Sequence, residues 1–293
     1  TGVLRAVGDS KRPLYFLIAA SLCNIVLDLL LVVVFHMGVL GVAIATVCSQ
    51  ILSAVLVVIS LMSASGETYH LSPRQLAFHA QPLKAIMAIG VPTALQSVMY
   101  SFSNIVIQAA INSFGTDAVA AWTAYGKMDI LFWMTLTAMS QALTTFTGQN
   151  YGAGKYDRVR KSIRVCIGMD FAAAILLMLV LVCFRIPLFH IFVTDENVVE
   201  IGLKMMATMA PFYWLFVFTE VFSGALRGMG DVVVPMLITT GGICLFRVVW
   251  IFGVVALFPT LTVTLLNYPV SWVLTSVLFL FYYHFRMKKL TAH

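Results

Sequence analysis

The segment SLCNIVLD, residues 21–28, carries Asn24 and Asp28 inside an otherwise apolar run. Residues four apart on a helix share one face, about a turn from each other. An amide oxygen beside a carboxylate offers the hard oxygen ligands that small cations prefer. The same carboxylate, partly shielded from water, can instead exchange a proton. Na⁺ capture and proton exchange are therefore both open at this pair, against a plainer reading in which the two side chains only bond to neighbouring helices. Six further ionisable residues fall inside apolar runs: Lys127, Asp129, Asp170, Lys204, Glu220 and Arg247. Charged groups at membrane depth are costly and by default face a bundle interior or a water-filled cavity.

The elements that position these residues follow from composition. The chain is 61% hydrophobic and only 10% charged, with a mean hydropathy of +0.97, whereas soluble domains carry about 25% charged residues. A helix needs about 20 mostly apolar residues to cross the hydrocarbon core. Eight such stretches are predicted, over residues 13–35, 40–62, 84–113, 119–147, 160–184, 198–224, 235–257 and 260–285. The short alternating segments of a membrane β-barrel are missing. The fold class is an all-α polytopic membrane protein.

A net charge of +6 would suit nucleic acid, but the placement of the 18 basic residues gives another account. With the N-terminal loop in the cytoplasm, that side receives Arg5, Lys11, Arg12, Arg74, Lys84, Lys155, Arg158, Arg160, Lys161, Arg164, Arg227, Arg286, Lys288 and Lys289. Arg185 alone falls outside, among Asp117, Asp195, Glu196 and Glu200. The positive-inside rule explains this basicity, and no nucleic-acid partner is expected. The five cysteines form no C-x-x-C pair, so neither a metal cluster nor a disulfide framework is indicated. The six histidines, at positions 36, 70, 79, 190, 284 and 293, enter no H-E-x-x-H motif or Ser/His/Asp grouping. The chain is not expected to be an enzyme or to hold a cofactor.

An internal repeat organises the helices. A shift of 222 residues superposes GVLRAVGDSKRP, from Gly2, on GALRGMGDVVVP, from Gly224, with Gly, Leu, Arg, Gly, Asp and Pro shared. Each copy precedes a span, the first and the seventh, so both point the same way through the membrane. A parallel repeat of six spans is the simplest unit, and such repeats come as two bundles about an axis normal to the membrane. The expected organisation is residues 1–62 as the last two spans of a first lobe, 63–83 as a cytoplasmic linker, and 84–293 as a complete second lobe. By that count the parent protein has twelve spans and the chain is a fragment lacking the first four. Gly8 and Gly230 suit helix ends, Pro13 and Pro235 suit first turns, and a structural turn is favoured over a phosphate loop because helices flank both copies. GQNYGAGK, 148–155, is a turn on the same ground.

The repeat also serves as a control on the polar pair. Asn24 corresponds to Phe246 and Asp28 to Trp250, so the fold itself does not demand polar groups there. Lys127 and Asp129 are two apart and cannot face each other on one helix. Glu220 and Arg247 can pair across helices, or Glu220 can line a second-lobe cavity; Asp170 and Lys204 are expected to snorkel or pair near span ends. Gly90 and Pro92 in GVP should kink or break their helix.

Together these residues resemble the multidrug and toxic compound extrusion (MATE) family of the wider flippase superfamily. The resemblance rests on LRAVGDSKRP with NIVLD, on GVP, on GQNYGAGKYDRVR and on LRGMGDVVVP, and it extends along essentially the whole chain. It implies two six-helix lobes, with the present spans as helices five to twelve, and export of cationic or amphipathic compounds driven by inward Na⁺ or H⁺ flow. Similarity to the DinF-like branch implies a first-lobe cation site in which Asn24 and Asp28 are joined by Thr46 and by an upstream Asp. Another branch carries an acidic residue ten positions after the helix-seven glycine; counting from Gly90 gives Tyr100, which puts a second-lobe cation site in doubt unless Glu220 substitutes.

The expectation is therefore a cation-coupled antiporter working by alternating access. Asn24, Asp28 and Thr46 would hold Na⁺ or H⁺, and Glu220, Arg247, Lys127 and Asp129 would form a polar network in the second lobe. The alternative is a flippase for lipid-linked oligosaccharide or lipid II, which needs several basic groups facing its cavity. The expected partners are a small organic substrate, the coupling ion and the bilayer. The protein is expected as a monomer in the bacterial cytoplasmic (inner) membrane, with linker and C-terminus on the cytoplasmic side.

Overall fold

A computed structural model describes residues 1–64, 66, 67, 69–73 and 77–291. Arg74, His293, the side chain of Lys289 and parts of the expected linker lie outside the described residues. The described residues form helices and turns without a strand. Chain contacts divide the molecule into two compact units, Thr1–Ala80 and Gln81–His293.

The first unit opens with a short helix α1 (Gly2–Ala6), followed by α2 (Lys11–Asp28), which continues without a break into a π-helical stretch, Leu29–Val34. Helix α3 (Gly38–Met62) packs back against it. Gly41, Ala45 and Ser49, four apart, are the buried residues of α3, as Pro13 and Ala20 are of α2. Lipid tails are as apolar as leucine side chains, so helices in a bilayer associate through small residues that let backbones approach. At Gly41 an added Cβ would lie 3.1 Å from the Leu31 Cβ and 3.2 Å from the Leu31 carbonyl carbon.

The second unit contains α4 (Ala80–Asn112, of which Ala80 belongs to the first unit), α5 (Thr116–Gly152), α6 (Tyr156–Cys183), α7 (Arg185–Phe192), α8 (Glu196–Met209) and α9 (Tyr213–Gly228). A 3₁₀ turn at Ala210–Phe212 joins α8 to α9 as one span. Next, α10 (Val233–Thr239) and α11 (Phe246–Trp250) alternate with π-helical stretches Thr240–Leu245 and Ile251–Val255, and α12 (Leu261–Thr291) closes the unit. Helix α5 lies against α6, α8 and α9. Its contact with α9 is close because α9 presents Gly224 and Gly228. The Thr144 hydroxyl donates to the Gly224 carbonyl at 2.9 Å and Ser140 Oγ to the Glu220 carbonyl at 3.1 Å.

All eight predicted spans are helical. Seven are long and apolar enough to cross a membrane on length and composition alone. The eighth position is α5, which carries Lys127, Asp129 and a run of hydroxyl and amide residues from Thr135 to Asn150. The chain is thus a multi-pass, all-α membrane protein. Helix α4 runs through Pro92 without a break; the lost N–H bond is tolerated within a 33-residue helix.

The repeated motif adopts one conformation twice. Gly8 and Gly230 take φ of +89° and +82°. Gly8 N–H donates to the Arg5 carbonyl and Asp9 N–H to that of Leu4, as Gly230 does to Arg227 and Asp231 to Leu226, all at 2.9–3.0 Å. This pair of bonds closes a helix C-terminus around a left-handed glycine. Gly154, φ +71°, closes α5 in the same way through Lys155 N–H to the Asn150 carbonyl at 2.8 Å.

Candidate functional site

In the first unit, Asn24 and Asp28 are half-buried, one turn apart on α2. Asp28 is the last α-helical residue before the π-helical stretch. Its Oδ1 is shielded from solvent and has no hydrogen-bond partner among the described residues. An orphaned carboxylate oxygen in an apolar setting leaves room for a proton or a small cation. Thr46 is exposed on α3, and its hydroxyl donates to the carbonyl of Val42, one turn back, at 2.9 Å. Asn24 and Asp28 thus share a face, while the Thr46 hydroxyl is engaged with its own helix.

In the second unit, a cavity of about 420 Å³ opens between α4, α5, α8, α9, α11 and α12. Helix α5 contributes Trp122, Tyr125, Asp129 and Trp133, a stripe at spacings of three and four that puts one carboxylate among three rings. Helix α4 adds Tyr100, Asn104 and Gln108, also four apart. Asp129 is only 6% exposed. Its Oδ1 accepts from the Tyr213 hydroxyl and its Oδ2 from Trp133 Nε1, while Tyr125 and Tyr213 join through their hydroxyls. Every polar partner of this carboxylate is thus an aromatic side chain, and a buried charge must be satisfied by hydrogen bonds or a counter-ion.

A set of rings holds these donors in place. Tyr213 stacks on Phe132 at 4.2 Å between centroids. Fully buried Trp272 touches Trp133, Tyr213, Phe216 and Tyr268 at 5.9–6.0 Å. Edge-on and offset ring pairs of this kind fix orientation as well as burying area.

Arg247 lines the same cavity and is 2% exposed. Its guanidinium lies 4.1 Å above the Tyr268 ring, and its Nε donates to Ser271 Oγ at 3.2 Å. The expected pairing with Glu220 is not formed, because Arg247 is taken up by α12. Glu220 is half-buried on α9 near Ser140, whose hydroxyl also accepts from Arg227 Nη2 at 3.3 Å. Lys127 is exposed and directed at the Phe192 ring, 5.6 Å away. Of Glu220, Arg247, Lys127 and Asp129, the structure therefore brings only Arg247 and Asp129 to one cavity.

Lys204 is exposed and pairs with Glu200 at 2.8 Å. Asp170 departs from the edge position expected for it: it is wholly buried near the middle of α6, with Cys166 Sγ at 3.6 Å from Oδ2. Its face of α6 packs into the unit and gives a side chain no route along the helix to water. Sequence reasoning missed Tyr213, Tyr125, Trp133 and Tyr268. The α5 stripe carried a readable signal in its spacing, whereas Tyr213 lies 84 residues from Asp129 and left none.

Comparison with known proteins places this geometry in a family context. The model of the MatE family matches residues 92–252. A Bacillus subtilis (strain 168) protein named "Probable multidrug resistance protein YoeA" is 26% identical over 99% of the chain and 64% of its own length. A Shewanella oneidensis protein named "FAD transporter" is 27% identical over 80% of the chain and 53% of its own length. The chain thus spans less than two thirds of either relative. A solved structure described as the outward-facing conformation of a multidrug resistance MATE family transporter superposes with a TM-score of 0.90. It covers 99% of the chain and 65% of its own at 20% identity, a likeness of fold.

Proposed function

The chain belongs to the MatE family, and from that premise we propose that the protein is a transporter rather than an enzyme, exporting organic cationic or amphipathic compounds by alternating access in exchange for Na⁺ or H⁺. The observation that carries the substrate class is Asp129, a carboxylate with no basic partner among the described residues, set among Trp122, Tyr125, Trp133 and Tyr268 on one cavity. A negative charge beside several ring faces is what a desolvated organic cation requires. Arg247, which lines the same cavity, is held over Tyr268 and on Ser271.

The coupling site in this reading is Asp28 with Asn24 and Thr46, of the DinF-like type. Its support is the unpartnered Asp28 Oδ1. Thr46 donates to Val42 and keeps oxygen lone pairs that can face the ion. The whole multi-pass protein would lie in the cytoplasmic membrane, with its basic loops and C-terminus inside, as a monomer.

Arg247 on the cavity favours one second reading, a substrate with an anionic group, such as the FAD for which the Shewanella relative is named. A lipid-linked pyrophosphate would need several cavity-facing cations. Lys127 and Lys204 are exposed elsewhere, which leaves Arg247 as the one cation on the cavity wall among the described residues.

The test is binding of a fluorescent organic cation and of a flavin nucleotide to the purified protein, with Asp129→Asn and Arg247→Gln. The reading expects Asp129→Asn to weaken the organic cation by about tenfold or more and to leave the flavin unaffected. Unchanged cation binding in Asp129→Asn, with loss of flavin binding in Arg247→Gln, would replace it by the second reading.

A further inference from the structure

A second cavity, of about 610 Å³, lies on the hairpin of α5 and α6, away from the aromatic site. Its walls are apolar: Met139 and Phe146 of α5 face Val165 and Met169 of α6. Its end nearest the Ala153–Lys155 turn is lined by Arg158 and Lys161.

These two cations, unlike the nearby Lys155, Arg160 and Arg164, line the cleft. Both are exposed, and neither forms an ion pair among the described residues, while adjacent Arg160 is engaged by Asp157 at 3.9 Å. Arg158 and Lys161 stand three apart, so both charges overhang one side of α6. Val165 and Met169 continue that face at further steps of four. From Arg158 to Met169 the helix rises about 16 Å, close to half of the roughly 30 Å hydrocarbon core. One cleft therefore presents a charged mouth at the membrane surface and an apolar trough as deep as one leaflet.

A free anion would use the mouth and leave the trough unfilled. A purely apolar occupant would fill the trough and leave two unpaired cations. A soluble acidic protein could not reach Met139 and Met169 at leaflet depth. Only an amphiphile with an anionic head matches both ends.

We infer that the α5–α6 cleft is a binding site for an anionic phospholipid of the leaflet on that side. Its phosphate sits between Arg158 and Lys161, and one acyl chain lies along Phe146, Val165 and Met169. Arg158 grips the phosphate through its planar fork of donors and Lys161 as a point charge. The basic residues around the turn, Lys155, Arg160 and Arg164, mark this end as the cytoplasmic side. This inference does not depend on which substrate the aromatic cavity takes.

Native mass spectrometry of the delipidated protein in detergent, titrated with dioleoyl phosphatidylglycerol or dioleoyl phosphatidylcholine, tests it. The wild type should prefer phosphatidylglycerol by at least about tenfold, given about 1 kcal/mol per basic residue near a membrane surface. Arg158→Gln with Lys161→Gln should abolish that preference. Lys155→Gln with Arg164→Gln, which removes the same charge off the cleft, should keep it within about twofold of the wild type. Met169→Trp, which fills the trough and leaves the charges, should weaken both lipids. Inorganic phosphate at millimolar concentration should displace neither.

The inference is overturned if the Arg158/Lys161 variant keeps its preference or the Lys155/Arg164 variant loses it equally. Displacement by phosphate would reduce the site to an anion site, and unaltered binding in Met169→Trp would remove the acyl trough; either result also overturns it.

Discussion

At the scale of single residues, the second unit is organised by one carboxylate and the rings that donate to it. Tyr213 is the linchpin, because its hydroxyl bridges Asp129 and Tyr125 while its ring stacks on Phe132. Removing that hydroxyl leaves two buried oxygens short of a partner without altering the packing of the ring. Tyr213→Phe should therefore lower stability in detergent by about 1–2 kcal/mol, read from thermal or denaturant unfolding. It should also weaken organic-cation binding less than Asp129→Asn does. Equal stability in Tyr213→Phe would mean that the hydroxyl network contributes nothing. Part of this site was legible beforehand, because Asp129 stood out as a charge in an apolar run and the Trp122, Tyr125 and Trp133 spacing puts rings beside it. Its partner across the bundle was not legible, since contact between residues 84 apart depends on how α5 and α9 dock. The expected Glu220–Arg247 pair failed for a related reason. Opposite charges attract in any arrangement, but Ser271 and the Tyr268 ring reached Arg247 first.

At the scale of elements, the glycines that end helices were the most readable signals, whereas Pro92 did not break α4. Gly8, Gly154 and Gly230 each close a helix in the left-handed region that other residues avoid. The repeat goes further than the motif that revealed it. The π-helical stretches at Leu29–Val34 and Ile251–Val255 begin 222 residues apart, the same offset as the motif. Both directly follow the positions of Asp28 and Trp250. Apolar residues such as LLLVVV and IFGVV give no local sign of π geometry, so this equivalence was invisible in the sequence. It places Asp28 where the backbone ladder changes register, and π-turns of this kind occur often at functional sites. The α5–α9 contact rests on close approach instead. A Cβ on Gly228 would lie 2.6 Å from the Thr144 carbonyl oxygen and 2.8 Å from the Thr147 Cβ. Gly228→Val should force α9 away from α5 and cost about 1–3 kcal/mol, seen as a lower unfolding midpoint in detergent. Gly168→Ala, where an added Cβ meets nothing within 4 Å, should leave the midpoint unchanged or raise it. An unshifted midpoint in Gly228→Val would show that the contact is not close in the folded protein.

At the scale of the whole molecule, eight helical spans were readable because hydropathy and length suffice when the backbone must satisfy itself in lipid. Family membership rests on the MatE match over residues 92–252. The proposed exchange of a cation for an organic compound depends on both units, and Asp28 is its most exposed point. An ion can shift a conformational equilibrium only by its differential affinity for the two states. Removing the charge at Asp28 should therefore uncouple transport from the gradient and leave folding intact. The decisive measurement is efflux of a fluorescent organic cation from vesicles containing the protein, under an imposed Na⁺ or proton gradient, for wild type and Asp28→Asn. The account predicts gradient-driven efflux in the wild type and its loss in a variant that elutes and unfolds like the wild type. Gradient-driven efflux that persists in Asp28→Asn would contradict it.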